Sequence, residues 1–321
     1  MPDVLDTQLL HALQIDGRAP FSLIADLLGV SDQTIARRYN RLLADGLLRV
    51  RGLSDAERLR DSRWIVRLRC TPNAAAAAAD ALARRADTSW ISLTSGGTEI
   101  VCVVRTDSGE RENRLLLQTL PRNRLVVEMT AHCVLHTFFG GELGLIDKIG
   151  ALRPDQIERL RPPAPAGARP APAALGPLDR KLVAVLERDG RATFGELAAA
   201  TGASQSTVRR RMADLCASGT LYFQVDFNQA LLDLHVRAMV WLAVAPSQLA
   251  AAGEAMAGHR ETAYVAATTG AANLYASVLC PDTDALYTYL TTNIAALPGV
   301  ERVETVPIVR TVKRSGPLGP P

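Results

Sequence analysis

The sequence lacks any apolar run approaching the roughly 18 residues that a bilayer-spanning helix requires. Its one alanine-rich stretch, 74–79, is short and stops at Asp80. Residues 1–13 carry acids and no basic segment, so they do not read as a secretory leader. Cysteine is sparse. The five thiols, Cys70, Cys102, Cys133, Cys216 and Cys280, are scattered without Cys-x-x-Cys spacing. That excludes a disulfide framework and a zinc ribbon, and fits reduced thiols in a cytoplasmic protein. Excess charge of one sign is also missing: 36 basic against 33 acidic side chains leave +3, so any nucleic-acid surface must be local.

Catalytic signatures are equally thin. Ser95-Gly96-Gly97 is not followed by the Lys-Ser/Thr of a phosphate loop. Cys102, alone in a strand pattern, reads as core. His132 and His136 flank Cys133, but on a strand they stand about 13 Å apart, too far to share a metal. Trp64, Trp90 and Trp241 fall in strand patterns and read as core or interface. No catalytic residue, metal site or cofactor is expected, and no membrane partner.

What the chain does have is a repeat. Residues 5–46 align without a gap on 178–219, with 18 identities in 42 positions. Leu5-Asp6 matches Leu178-Asp179, and Asp16-Gly17-Arg18-Ala19 matches Asp189-Gly190-Arg191-Ala192. Downstream, 89–104 lies more loosely over 263–278. Proline and alanine dominate 161–177, which favours an extended linker.

In each copy the repeat opens with three closely spaced helical patterns. Leu5, Leu9, Leu10 and Leu13 recur at helical spacing, and Asp16-Gly17 ends that run. A second helix starts near Pro20, with Phe21, Ile24, Ala25 and Leu28 on one face, and Gly29 breaks it. Ser31 is a strong N-cap for a third helix to about Ala44. Gly46 ends it before a short strand or wing at 47–53. This is a helix-turn-helix pattern. On the third helix Ile35, Tyr39 and Leu42 should pack inward, and Thr34, Arg37, Arg38 and Arg41 should face out. In copy two Val208, Met212 and Leu215 point in, Thr207, Arg210 and Arg211 point out, and Arg209 adds charge on the flank. Guanidinium forks and hydroxyls on such a face suit guanine edges and phosphates. The expected DNA-binding residues are Ser31, Thr34, Arg37, Arg38, Arg41, Ser204, Thr207, Arg209, Arg210 and Arg211. Asp214 stands where copy one has Arg41, so the two readers should differ.

The remainder of each copy reads strand, helix, strand, strand, helix, strand. In copy one these are 63–71, 73–86, 89–94, 99–105, 111–120 and 125–137. In copy two they are 236–244, 247–257, 262–269, 273–279, 283–296 and 300–312. That order is ferredoxin-like, and its open sheet face calls for a second such domain as cover.

With these residues in place, the chain resembles the Lrp/AsnC (leucine-responsive) regulators in a tandem two-copy form. The carrying motifs are the Leu-Asp openings, the Asp-Gly-Arg turns, Ser-x-x-Thr at 31–34 and 204–207, Thr269-Gly270 with Asn273, and Leu297-Pro298-Gly299-Val300. The resemblance implies an α+β protein in which two winged helix-turn-helix domains alternate with two βαββαβ sensor domains. The expected division is a first reader at 1–60, a sensor at 61–145, a linker at 146–177, a second reader at 178–230, a second sensor at 231–314 and a disordered tail at 315–321. It further implies double-stranded DNA as partner, homo-oligomerisation through the sensor domains, and an amino-acid-like effector near the second-strand hairpin, hence at Thr269, Gly270 and Asn273. Copy one departs from the pattern with Ser95, Gly96 and Glu99 at the hairpin, and Leu120-Pro121 is followed by Arg122-Asn123. Two alternatives stay open. One is an architectural DNA-binding protein without an effector. The other is a siroheme decarboxylase-like enzyme, whose His-Asn-Tyr-x-Arg cluster is replaced here by Thr88-Ser89-Trp90-Ile91 and Thr262-Ala263-Tyr264-Val265.

Overall fold

The computed structural model describes residues 3–55, 61–71, 73–106, 115–120, 125–140, 150–162 and 175–315, with Leu59, Leu145 and Lys148. Among them no helix is long and apolar enough to cross a membrane. The chain forms two compact units, Met1–Leu59 with Gly141–Asp233 and Arg60–Gly140 with Leu234–Pro321. Like therefore groups with like: both helical halves make one unit and both sheet halves the other.

In the helical unit, copy one folds as α1 (Val4–Ile15), α2 (Phe21–Leu28), α3 (Asp32–Ala44) and β1 (Leu48–Ser54). Leu9, Leu13, Ile24, Ile35 and Leu42 close its core, as the helical spacing requires. Pro20 sits at the N-cap of α2, one position before the first helical residue expected for it. Gly29 ends α2 at φ 67°, a left-handed C-cap that glycine adopts without strain.

A helix not foreseen, α5 (Pro154–Leu160), follows within the segment 146–177 read as linker. Leu152, Ile157 and Leu160 pack on the copy-one core. The Gln156 amide donates to Leu27 O (2.6 Å), and Leu152 N donates to His11 Nδ1 (3.1 Å). The proline-alanine bias begins only after residue 160, so the apolar residues before it fold onto the helical unit and are no part of a linker. Residues 163–174 of that linker, 121–124 and the tail 316–321 lie outside the described residues.

Copy two gives α6 (Pro177–Leu186), α7 (Phe194–Thr201), α8 (Gln205–Ala217) and β6 (Leu221–Phe227) around Leu182, Leu186, Leu197, Val208 and Leu215. The two wings then pair with each other. β1 runs antiparallel to β6 from Leu48↔Phe227 to Ser54↔Leu221, and Arg51 stands opposite Gln224. Residue 224 is 51 plus the 173-residue repeat offset, so the wing meets its own counterpart on a local two-fold axis. The buried Arg51–Asp226 ion pair (2.7 Å) lies beside that axis.

In the sheet unit, copy one supplies β2 (Ser62–Cys70), α4 (Ala75–Ala83), β3 (Thr88–Thr94), β4 (Glu99–Thr106) and β5 (Val126–Phe139). Of the helix expected at 111–120, the described part is a π-helical turn at Leu115–Thr119. Copy two supplies β7 (Val236–Val244), α9 (Leu249–Gly258), β8 (Thr262–Thr268), β9 (Leu274–Cys280), α10 (Thr283–Tyr289) and β10 (Val300–Lys313). Each copy has the antiparallel ferredoxin-like order, and together the strands close as β10-β3-β4-β2-β5-β8-β9-β7. Closure depends on the length of the last strands. β5 pairs with β2 through Cys133 and with β8 from Val134. β10 pairs with β7 through Pro307 and with β3 from Ile308. Alternation sends Val66, Leu68, Val240 and Leu242 toward the helices, and Ile65, Met239, Trp241, Tyr275 and Val306 into the barrel.

Candidate DNA-reading helices and effector hairpins

Ser31 and Ser204 cap α3 and α8 in the same way. Each Oγ accepts from the backbone N–H three residues on, Thr34 N and Thr207 N, at 3.2 Å. Each also lies 2.9 Å from the Thr34 or Thr207 hydroxyl. The serines are exposed and the threonines half-buried. Arg37 and Arg210, equivalent in the repeat, are exposed, and no hydrogen bond or ion pair engages either among the described residues. Arg209 is also exposed, its guanidinium carbon 4.1 Å from the Phe194 ring centroid.

The other arginines expected on that outward face turn elsewhere. Arg38 is half-buried and donates to Asp6 Oδ1 (2.9 Å) and to Asp3. Arg41 donates to the other Asp6 oxygen. Arg211 forms a fork on Asp179, with Nε to Oδ1 at 2.6 Å and NH2 to Oδ2 at 2.8 Å. Asp6 and Asp179 are 5% and 2% exposed. The helical wheel explains the difference: Arg38 lies only about 40° from Leu42, on the flank that meets α1 rather than opposite the core. These ion pairs clamp the third helix of each copy to the first. They are charge-assisted, and the Arg211 hydrogen bond holds the Asp179 carboxyl below the usual carboxylate range. The Leu-Asp dipeptide opening each copy was visible as an identity in the repeat, but its role as an acceptor was missed.

A second missed pair joins the copies. Arg18 donates to Gly190 O (2.6 Å) and Ala192 O (2.9 Å), and Arg191 donates to Gly17 O (2.8 Å) and Ala19 O (3.0 Å). Arg18 also lies 5.4 Å from the Phe194 ring centroid, and Arg191 lies 4.4 Å from that of Phe21. Gly190 is needed here, because a Cβ would come within 2.9 Å of the Arg51 backbone.

At the copy-two hairpin, Thr269, Gly270 and Ala271 are exposed. Thr269 N donates to Cys133 O (2.9 Å), Cys133 N donates to Thr269 Oγ1 (2.9 Å), and His132 donates from Nδ1 to Thr269 O (2.8 Å). Gly270, at φ 107°, leaves no room for a Cβ, which would fall 2.6 Å from His132 Nδ1. Asn273 behaves like an extra strand residue: Oδ1 accepts from Val244 N (2.9 Å) and Nδ2 donates to Val244 O (2.8 Å). These contacts bind the hairpin to β5 of the other copy and to its own sheet.

The copy-one hairpin differs in chemistry. Ser95 and Gly96 are exposed with φ of 52° and 67°. Glu99, aligned with Asn273, is buried; Oε2 accepts from Thr94 and Ser95 hydroxyls (both 3.0 Å), and Oε1 accepts from Arg67 Nε (2.8 Å). Arg67 forks onward to Glu304 at 2.7 and 2.9 Å, and its guanidinium lies 5.1 Å from the Trp241 ring centroid. Pro307 occupies the position equivalent to Cys133 and has no N–H to give a hairpin hydroxyl. Burial pushes the Cys102 thiol up to about 12 and the Cys280 thiol up to about 11, as inert core thiols.

Comparison with known proteins agrees with this layout. The AsnC-type helix-turn-helix domain model matches residues 3–43 and 177–215, and the Lrp/AsnC ligand binding domain model matches 237–318. The HTH-type transcriptional regulator FL11 of Pyrococcus abyssi is 26% identical over 146 residues, 45% of this chain and 96% of its own length. Its namesake in Pyrococcus horikoshii is 26% identical over 145 residues, 45% of this chain and 95% of its own. Among solved structures, the siroheme decarboxylase NirDL shares the fold with a TM-score of 0.64 at 13% identity, over 97% of this chain and 93% of that one.

Proposed function

Because the chain belongs to the Lrp/AsnC family of DNA-binding, ligand-modulated transcription regulators, we propose that it acts in the cytoplasm by setting α3 and α8 into major grooves of double-stranded DNA. One observation carries this reading: Arg37 and Arg210 are exposed at equivalent places and unengaged among the described residues, while Arg38 and Arg211 beside them fasten the helices to their supports. Arg37, Arg209 and Arg210 then meet bases or phosphates. Ser31 and Ser204, at helix N-termini, approach phosphates with Thr34 and Thr207. Arg38, Arg41 and Arg211 position the readers.

An amino acid or related metabolite binds at the 269–273 hairpin, exposed over Thr269–Ala271, in this reading. Gly270 supplies unshielded backbone, and Thr269 and Asn273 supply polar groups that exchange partners. In copy one Glu99 serves the Arg67 network, which makes Ser95 and Gly96 a framing turn. Chains associate through their sensor domains, and the effector shifts that assembly and with it DNA occupancy.

Anisotropy titration on fragments enriched from the source genome tests the proposal. Arg37→Ala and Arg210→Ala should each weaken binding by roughly 1–3 kcal/mol if they touch a base and leave the melting temperature unchanged. Undiminished affinity in the double variant would sink the reading. If no amino acid alters footprint, oligomer size or melting temperature, the architectural alternative gains. The fold shared with NirDL favours an enzyme as second reading; siroheme addition producing a Soret shift and a decarboxylated product would establish it.

A further inference from the structure

We infer that a single chain reads an operator of two unlike half-sites, inverted about the wing pair, with no second copy supplying a reader. This rests on the DNA-binding reading above and adds the arrangement and chemistry of the target.

The arrangement follows from the local two-fold axis. Arg51 faces Gln224, its own counterpart, and Arg18 and Arg191 exchange hydrogen bonds with each other's turns. Both contacts lie inside one compact unit. Two readers related by a two-fold axis present their helices to inverted half-sites. In this chain the partner reader is covalently attached, so selection for identical half-sites, which a homodimer imposes, is absent.

The side chains on the two reading faces then diverge. α3 exposes Gln33 and Asn40, where α8 exposes Ser206 and Ala213. α3 has Ala36 where α8 has exposed Arg209 beside Arg210. Amide side chains pair in bidentate fashion with adenine N6 and N7, and arginine forks pair with guanine O6 and N7. The α3 half-site should therefore carry an adenine under the amides, and the α8 half-site should be richer in guanine. The wing register and the Arg18–Arg191 exchange are symmetric, whereas the faces turned to DNA differ at these positions.

Selection of bound sequences from randomised duplexes by the full chain, followed by native mass spectrometry on the selected duplex, tests this. The expected result is two inverted, non-identical half-sites and, at saturating duplex, one chain for each duplex bound, however many chains are joined through their sensor domains. The triple variant Gln33→Ser, Ala36→Arg, Asn40→Ala gives α3 the α8 residues at these three positions, leaving Asp32 and Arg41 where α8 has Gln205 and Asp214. It should lose about ten-fold on the selected duplex and gain on one carrying two copies of the α8 half-site. Asn40→Ala alone, at an exposed position, should relax the adenine preference without affecting folding. A palindromic consensus, two chains per pair of half-sites, or an unchanged preference in both variants overturns the inference while DNA binding stands. Enrichment of no duplex at all overturns both together.

Discussion

Arg18 and Arg191, the same residue of the two repeats, each donate two hydrogen bonds into the turn that carries the other. Desolvation lowers the pKa of both guanidiniums, each of which is half-buried against aromatic rings. The swap converts two similar trihelical bodies into one. Substituting either arginine by alanine leaves two backbone carbonyls without donors. Each change should destabilise the helical unit by about 2–3 kcal/mol, read by urea unfolding. Lysine should rescue little, since it lacks the fork that reaches two carbonyls at once. A loss under about 0.5 kcal/mol in both variants would show that the wing strands alone join the copies.

Acid should loosen the same unit through Asp179. Its folded pKa is depressed, chiefly by the Arg211 hydrogen bond. A depressed carboxylate contributes stability that is full above the unfolded value of about 3.9 and is lost as pH falls through the lower folded value. Asp179→Asn should therefore be less stable than the parent at neutral pH. The gap should close as pH falls below about 4, measured as unfolding free energy against pH. A gap of constant size down to the acid limit would remove the ion pair from the account.

How much of this was legible depended on how local each cause was. Helix ends were, because Ser31 and Gly29 act on their own backbone. The inward stripe Ile35, Tyr39 and Leu42 followed from helical period alone. Arg38 and Arg211 were placed by a simple inside-outside division of the wheel, which fails for a flank residue that meets a buried aspartate from another helix. The wing pairing was out of reach, since β1 and β6 find each other only through a two-fold axis that no local pattern encodes. The proline-alanine bias after residue 160 likewise masked the apolar Leu152, Ile157 and Leu160 set before it. At the hairpins the turns themselves were legible in their glycines, but their contacts depend on His132 and Arg67, which belong to other strands.

Gly270 should resist substitution for two separable reasons. Its φ of 107° disfavours any L side chain, and a Cβ there would meet His132. Gly270→Ala should cost about 1–3 kcal/mol from backbone strain, plus the displacement of His132. Adding His132→Ala should recover the steric part and leave the strain, so the double variant unfolds at a higher temperature than Gly270→Ala alone. A double variant less stable than either single one would mean that the His132–Thr269 hydrogen bond outweighs the clash.

The Arg67 network should respond unequally at its two ends. The Glu304 side chain is 52% exposed, whereas that of Glu99 is 12% exposed and also accepts the Thr94 and Ser95 hydroxyls. Glu304→Gln keeps the site's shape and leaves Glu99 beside Arg67, so it should cost under about 1 kcal/mol. Glu99→Ala strips an acceptor from three donors at once and should cost about 2–3 kcal/mol. Only the double variant leaves Arg67 without a carboxylate against the Trp241 ring, and a half-buried unpaired guanidinium is costly. The combined loss should therefore exceed the sum of the single losses, which a double-mutant cycle on thermal unfolding measures directly. Additive losses would place Arg67 in solvent-like surroundings, with its two glutamates acting independently.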